Sequence, residues 1–190
     1  MRQRAHHRPE RKPIFVGCEG QSEVGYIAFI SDLAENARLP VFIKPVLLSP
    51  AGDPLARVEK AIRLIDDNRR KRIAYVERFI LMDGDQITLA PDRAERAKVL
   101  ASEHRISIIW QHPCHEALLQ RHFAGHEAKL PTTAAISEKQ LQKLWPAYSK
   151  PMSRVSLATK LDHHAVCRAA TVEQELMAFL VAVGLIAERS

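Results

Sequence analysis

Three cysteines, Cys18, Cys114 and Cys167, are too few and too scattered for a disulfide framework or a Cys-x-x-Cys zinc site. Free thiols in that number suit a reducing compartment. No apolar stretch approaches the roughly 20 residues needed to cross a bilayer, and the first residues are basic and polar, without the hydrophobic centre of a secretory leader. A soluble, cytoplasmic protein is the expectation. No serine or cysteine sits in a nucleophile elbow, and the histidines lack the His-x-x-x-His spacing of a metalloprotease helix. A histidine-based hydrolase built on His112, His115 or His122 therefore has no nucleophile. There is no internal repeat and no low-complexity tract.

The 190 residues, 46% of them hydrophobic, are enough for one domain with a sizeable core and a small extension. The formal net charge is +6, but Arg2, Arg4, Arg8, Arg11 and Lys12 against a single Glu10 concentrate +4 of it in residues 1–12. The sequence predicts a basic arm over 1–12, which either meets phosphates or keeps the chain soluble. Alternating strand and helix patterns over 13–124 predict an α/β core, with a mainly helical extension over 125–190 packing on it.

Within that core, Phe79-Ile80-Leu81-Met82 reads as a strand buried on both faces that ends in Asp83-Gly84-Asp85. On an extended chain the two carboxylates, at i and i+2, share a side. Asp-Gly-Asp is also an ordinary turn sequence. Pro13 to Cys18 forms an earlier strand running into Glu19-Gly20-Gln21-Ser22-Glu23 and a helix from Val24 to Ala37, with Ser22 placed to cap it. Pro40 to Leu48 is a strand and Pro54 to Arg72 an amphipathic helix ending in Arg69-Arg70-Lys71-Arg72. That cluster either complements the helix dipole or contacts nucleic-acid phosphates.

Residues 86–90 read as a loop, 91–104 as a helix and 105–110 as a fourth strand, followed by His112-Pro113-Cys114-His115-Glu116 opening a helix. Further on, Ser137 to Trp145 is helical and 150–160 a polar connection. Asp162-His163-His164 reads as a solvated face, and Thr171 caps a last helix to Val183.

In a parallel sheet all strand ends of one kind lie on one edge, where open α/β folds bind their ligands. Glu19, Asp83 with Asp85, and Glu116 would therefore converge. Four carboxylates in one place demand a cation, and a hard divalent ion such as Mg²⁺ (or Mn²⁺) is the usual partner.

The blocks Cys18-Glu19-Gly20-Gln21-Ser22-Glu23 with Tyr26, Met82-Asp83-Gly84-Asp85, and His112-Pro113-Cys114-His115-Glu116-Ala117-Leu118 through His122-Phe123 resemble the RloB family. Proteins of that family are associated with abortive-infection and restriction loci and are similar to Toprim nucleases. The resemblance runs from Pro13 to about Phe123. It implies a Toprim-like, mostly parallel sheet of about four strands sandwiched by helices. It further implies a glutamate, here Glu19, acting in proton transfer, and an Asp-x-Asp pair, here Asp83 and Asp85, binding Mg²⁺. Ser22 stands where the family usually has Thr. His112, His115, Ala117 and Leu118 replace parts of its usual Asn-Pro-Cys-Phe-Glu-Leu-Trp run.

Two functions follow. In the first, a Mg²⁺-dependent Toprim-like nuclease acting in phage defence, Asp83, Asp85 and Glu19 hold metal while Glu19 and Glu116 assist catalysis. Glu23, His112, His115 and His122 support them, and Arg69, Arg70, Lys71 and Arg72 contact DNA or RNA. In the second, the chain is a non-catalytic subunit that binds nucleic acid or an ATPase partner.

Overall fold

The computed structural model describes residues 11–50 and 52–187, so most of the basic arm expected over 1–12 lies outside the described residues. Four strands, β1 (Lys12–Cys18), β2 (Val41–Leu47), β3 (Glu77–Asp83) and β4 (Ser107–Gln111), pair in parallel in the order β2-β1-β3-β4. Helix α1 (Gln21–Asn36) links β1 to β2, α2 (Pro54–Arg70) links β2 to β3, and α4 (Pro91–Glu103) links β3 to β4. The chain leaves β1 toward β2 and then returns to the other side of β1 as β3. The order therefore reverses between β1 and β3, the place where open α/β sheets form a ligand crevice.

Side-chain alternation sorts the sheet into two cores. Ile14, Val16, Cys18, Phe79 and Leu81 face one layer, packed on α1 and the C-terminal helices; Phe15, Ile80 and Met82 face the other, packed on α2 and α4. Asp83 shares the parity of Phe79 and Leu81, so its side chain points toward the layer holding α1. The α/β expectation holds, and the central strand is buried on both faces as its unbroken apolar run required.

Several local readings needed correction. The first helix starts at Gln21 rather than Val24; its N-cap is Gly20, whose N–H is satisfied by Glu23 Oε2 at 3.1 Å, so Ser22 does no capping. Residues expected to form a loop after Asp83 make a short helix, α3 (Asp85–Leu89), because Gly84 is already helical at φ −74°, ψ −18°. Asp83 and Asp85 consequently do not lie on one extended strand.

Pro113 does not open the next helix. α5 (His115–Gln120) starts two residues later, with Cys114 at its N-cap. α6 (Ala134–Leu144) is capped by Thr133, whose side chain accepts from Ile136 N, and so begins before Ser137. The polar 150–160 segment contains α7 (Arg154–Ala158), capped by Ser153.

Asp162 is the N-cap of α8 (His163–Ala170), accepting from Ala165 N at 2.8 Å, and Thr171 closes that helix. The last helix, α9 (Gln174–Val183), starts after Glu173 and stops at Gly184, whose φ of 87° is the left-handed stop that glycine adopts without strain. Leu141, Leu157, Val166, Leu176 and Phe179 join the same buried cluster as Ile14 and Phe79. The extension is part of the core on that face.

Arg38, Arg72 and Arg105 all have left-handed backbone, φ 56°, 64° and 54°, just past the ends of α1, α2 and α4. Glycine usually fills such positions. All three precede strands and therefore lie on the amino edge of the sheet.

Candidate functional site

At the β1/β3 switch point, Glu19 follows the last residue of β1 and Asp83 ends β3. One oxygen of Glu19, Oε2, accepts the Asp83 backbone N–H at 3.0 Å, so the first glutamate ties the two strand ends together. Its other oxygen, Oε1, lies 2.7 Å from Arg57 Nη2 on α2, and both side chains are largely buried. Asp83 Oδ1 in turn accepts the backbone N–H of His115, the first residue of α5, at 2.9 Å. The acid thus sits where the positive end of a helix and a donated hydrogen bond favour it.

These bonds do not balance the charge. Burial pushes the Asp83 carboxyl up to about 8, reinforced by Glu19, Glu23, Asp85 and Glu116. Glu19 is also pushed up by burial, with Glu23 and Asp85 adding to the rise and the Asp83 N–H and Arg57 opposing it. Glu19, Glu23, Asp83 and Asp85 therefore share one electrostatic field. A folded-state pKa above the ordinary 3.8 means that protonated Asp83 favours the fold. In EDTA, the contribution of Asp83 to stability should be greatest below 3.8 and fall away as pH rises toward about 8, with Asp83→Asn flattening that slope in denaturant melts.

Glu116 stands differently. It is 3% exposed, and its Oε1 receives Tyr148 Oη at 2.6 Å and Lys150 Nζ at 2.8 Å. Burial raises its pKa, but the bonds from Lys150, Tyr148 and Cys114 prevail and hold the carboxyl down to about 2. Its Oε1 is engaged by two side chains of the extension, which sets it apart from Asp83. It clamps the 148–150 segment onto α5.

The histidines separate as well. His112 is exposed, and its ring rests on Gly84: a Cβ there would come within 2.9 Å of His112 Cε1 and closer still to Nδ1. The absence of a side chain at Gly84 makes room for this ring. His115 is buried, with Nδ1 2.8 Å from Gln111 Nε2 and its ring edge-on to Tyr26. His122 lies deeper, hydrogen-bonded to Tyr26 Oη at 3.0 Å; burial lowers its pKa to about 4, so it is a neutral core histidine. It does not reach the carboxylates.

Arg69 and Arg70 end α2 and Lys71 and Arg72 follow it, on the edge where β3 begins. A seven-residue strand, roughly 20 Å, separates them from Asp83. They do not line the acidic site.

Arg57, Tyr148 and Lys150 were missed from the sequence. Arg57 left one trace, a cation on the face of α2 that carries Leu55, Val58 and Ala61. Tyr148 and Lys150 left none, since they meet Glu116 from more than 30 residues away.

Among the described residues no three His, Cys, Asp or Glu side chains form a ready metal-ligand group. The donor chemistry nevertheless suits a hard cation. The oxygens of Glu19, Asp83 and Asp85 carry negative charge in excess of Arg57, the one cation ion-paired with these three among the described residues, and that surplus adds to the rise that burial imposes on Asp83.

Fold and site together define an all-parallel α/β domain with an acidic centre at its topological switch point. The family model for "RloB-like protein" matches residues 14–178, and the chain belongs to that family. The match runs well past Phe123 and takes in α6, α7 and α8 of the extension. No match was found among curated proteins or among solved structures.

Proposed function

We propose that this chain is a Mg²⁺-dependent, Toprim-like nuclease of the RloB type that cleaves phosphodiester bonds in phage defence. The observation that carries the reading is the convergence of Glu19, Asp83 and Asp85 at the switch point, with Asp83 pushed up to about 8. Asp83 and Asp85, with Glu19 beside them, are the residues to hold the cation; Mn²⁺ is an alternative. A bound cation supplies Lewis-acid polarisation of a phosphoryl oxygen.

The remaining work falls to the chain. Arg57 fixes the Glu19 carboxylate against β3, leaving Oε2 on the Asp83 N–H, so Glu19 is oriented for proton transfer. The N–H of His115 holds Asp83 Oδ1 and so fixes one oxygen of that carboxylate. Glu116 acts as a positioning residue for α5 through Tyr148 and Lys150. Arg69, Arg70, Lys71 and Arg72 serve, in this reading, a nucleic acid long enough to reach the far edge.

The test is cleavage of labelled DNA and RNA with Mg²⁺ or Mn²⁺ by native protein and Asp83→Asn. Activity should fall about 100-fold or more in the variant, and equal activity sinks the reading. Mg²⁺ at a hundred times its Kd should raise the native melting temperature by about 5–10 °C. A second reading, a non-catalytic subunit that binds nucleic acid or an ATPase partner, is favoured by one observation: Arg57 already occupies Glu19 Oε1. Metal-stabilised protein that cleaves nothing would select it.

A further inference from the structure

A cleft of about 520 Å³ opens beside Asp85, between α3 and the segment leading into α6. Its floor is Gly84, Asp85 and His112, and Leu89 and Leu130 stand on its walls. These leucines, 72% and 75% exposed, are the two most exposed large apolar side chains among the described residues, and both flank this one cleft. Single exposed leucines are common, but two framing a hollow next to a polar centre mark a binding surface. The volume falls within the roughly 300–1,000 Å³ of small-ligand sites.

The lining says which part of a ligand belongs there. It contains no lysine or arginine, so it offers no cation to a phosphate. It offers apolar walls, hydroxyls of Thr88 and Thr132, the carboxylate of Asp85 as an acceptor, and the His112 imidazole held flat by Gly84. An uncharged, planar, hydrogen-bonding group fits that set. A nucleobase has those properties and stacks on imidazole and on apolar side chains.

We propose that this cleft seats one unpaired nucleobase, the neighbour of the phosphodiester held at Asp83 and Asp85. The proposal rests on the nuclease reading and deepens it by naming single-stranded or looped nucleic acid as the substrate class. A base inside a duplex cannot enter without leaving its stack, which costs a few kcal/mol. A strand that is already unpaired enters without that cost.

The experiment measures fluorescence anisotropy of a labelled single strand, a hairpin loop and a blunt duplex, with Ca²⁺ replacing Mg²⁺, for native protein and for Leu89→Ser/Leu130→Ser. Both side chains are exposed, so an unchanged melting temperature confirms that the variant is folded. Native protein should prefer the single strand and the loop. The variant should lose about ten-fold in affinity for them while duplex affinity stays within about two-fold. Equal native affinity for duplex and single strand, or an unchanged variant, overturns the proposal. Cleavage by native protein with no change in the variant rejects the cleft and spares the nuclease. A leucine-dependent single-strand preference without cleavage does the reverse.

Discussion

Arg121→Met should lower the stability of the protein by roughly 3–5 kcal/mol, because one partner of a buried ion pair would be removed. Arg121 is 2% exposed, and its Nη1 pairs with Glu173 at the head of α9. Its Nη2 donates to the backbone carbonyl of His112 at 2.9 Å. Methionine keeps the apolar stem of the side chain and deletes both bonds. Glu173 is then left as a buried, uncompensated carboxylate, and the His112 carbonyl loses its donor.

At about 2–4 °C per kcal/mol for a chain of this size, the melting temperature should fall by about 6–20 °C. A companion, Arg121→Met/Glu173→Met, separates lost attraction from stranded charge. An apolar pair of similar volume is often as stable as the ion pair, so the double variant should recover much of the loss. A drop below about 1 kcal/mol in the single variant would show the pair to be dispensable. The effect should also reach the crevice. The bond to His112 braces the loop whose imidazole covers Gly84, so the variant should broaden the His112 resonance in NMR spectra.

What was readable in the sequence was whatever depended on short-range pattern. Phe79 to Met82 had to be a buried strand because no polar side chain interrupts it, and Asp83 had to emerge at its end. Glu19 followed by the same logic from β1. The resemblance in the Glu19, Asp83 and His112–Phe123 blocks pointed to the family that the match over 14–178 establishes.

The pattern failed where a few residues decide locally. Gly84 looked like an extended linker between two acids, yet its N–H bonds Gln111 O and it turns straight into α3. Asp162 and His164 are exposed, as a solvated face requires, but the cap went unread because a side-chain cap and a solvated acid have the same sequence. Only the bond to Ala165 N tells them apart. The partners of Glu19 and Glu116 were out of reach for another reason. Arg57, Tyr148 and Lys150 come close only once α2 and the extension dock on the sheet. Periodicity carries no information about such docking.

Gly25→Ala should destabilise the protein by roughly 2 kcal/mol or more, against the usual direction of this substitution. Glycine inside an exposed helix costs about 1 kcal/mol relative to alanine, so replacement there normally helps. Gly25 lies within α1, and a Cβ on it would overlap the backbone carbonyl oxygen of Met152 and come within 3.1 Å of the carbonyl carbon. Neither atom is the free end of a side chain that can swing aside. The overlap must be relieved by moving the backbone of 152–154, which the Arg154–Asp32 bridge at 3.0 Å otherwise holds to α1.

That shift would pull on Lys150 and Tyr148, two and four residues upstream, and hence on their hold over Glu116. Hydrogen exchange should therefore accelerate over 148–158 more than over β1 or β3. Gly52→Ala is the matched control, since a Cβ there meets nothing within 4 Å. A Gly25→Ala protein as stable as native, with 148–158 still protected, would mean that the extension can slide on α1 without cost. The close approach of Gly25 to Met152 would then have no part in fixing the clamp on Glu116.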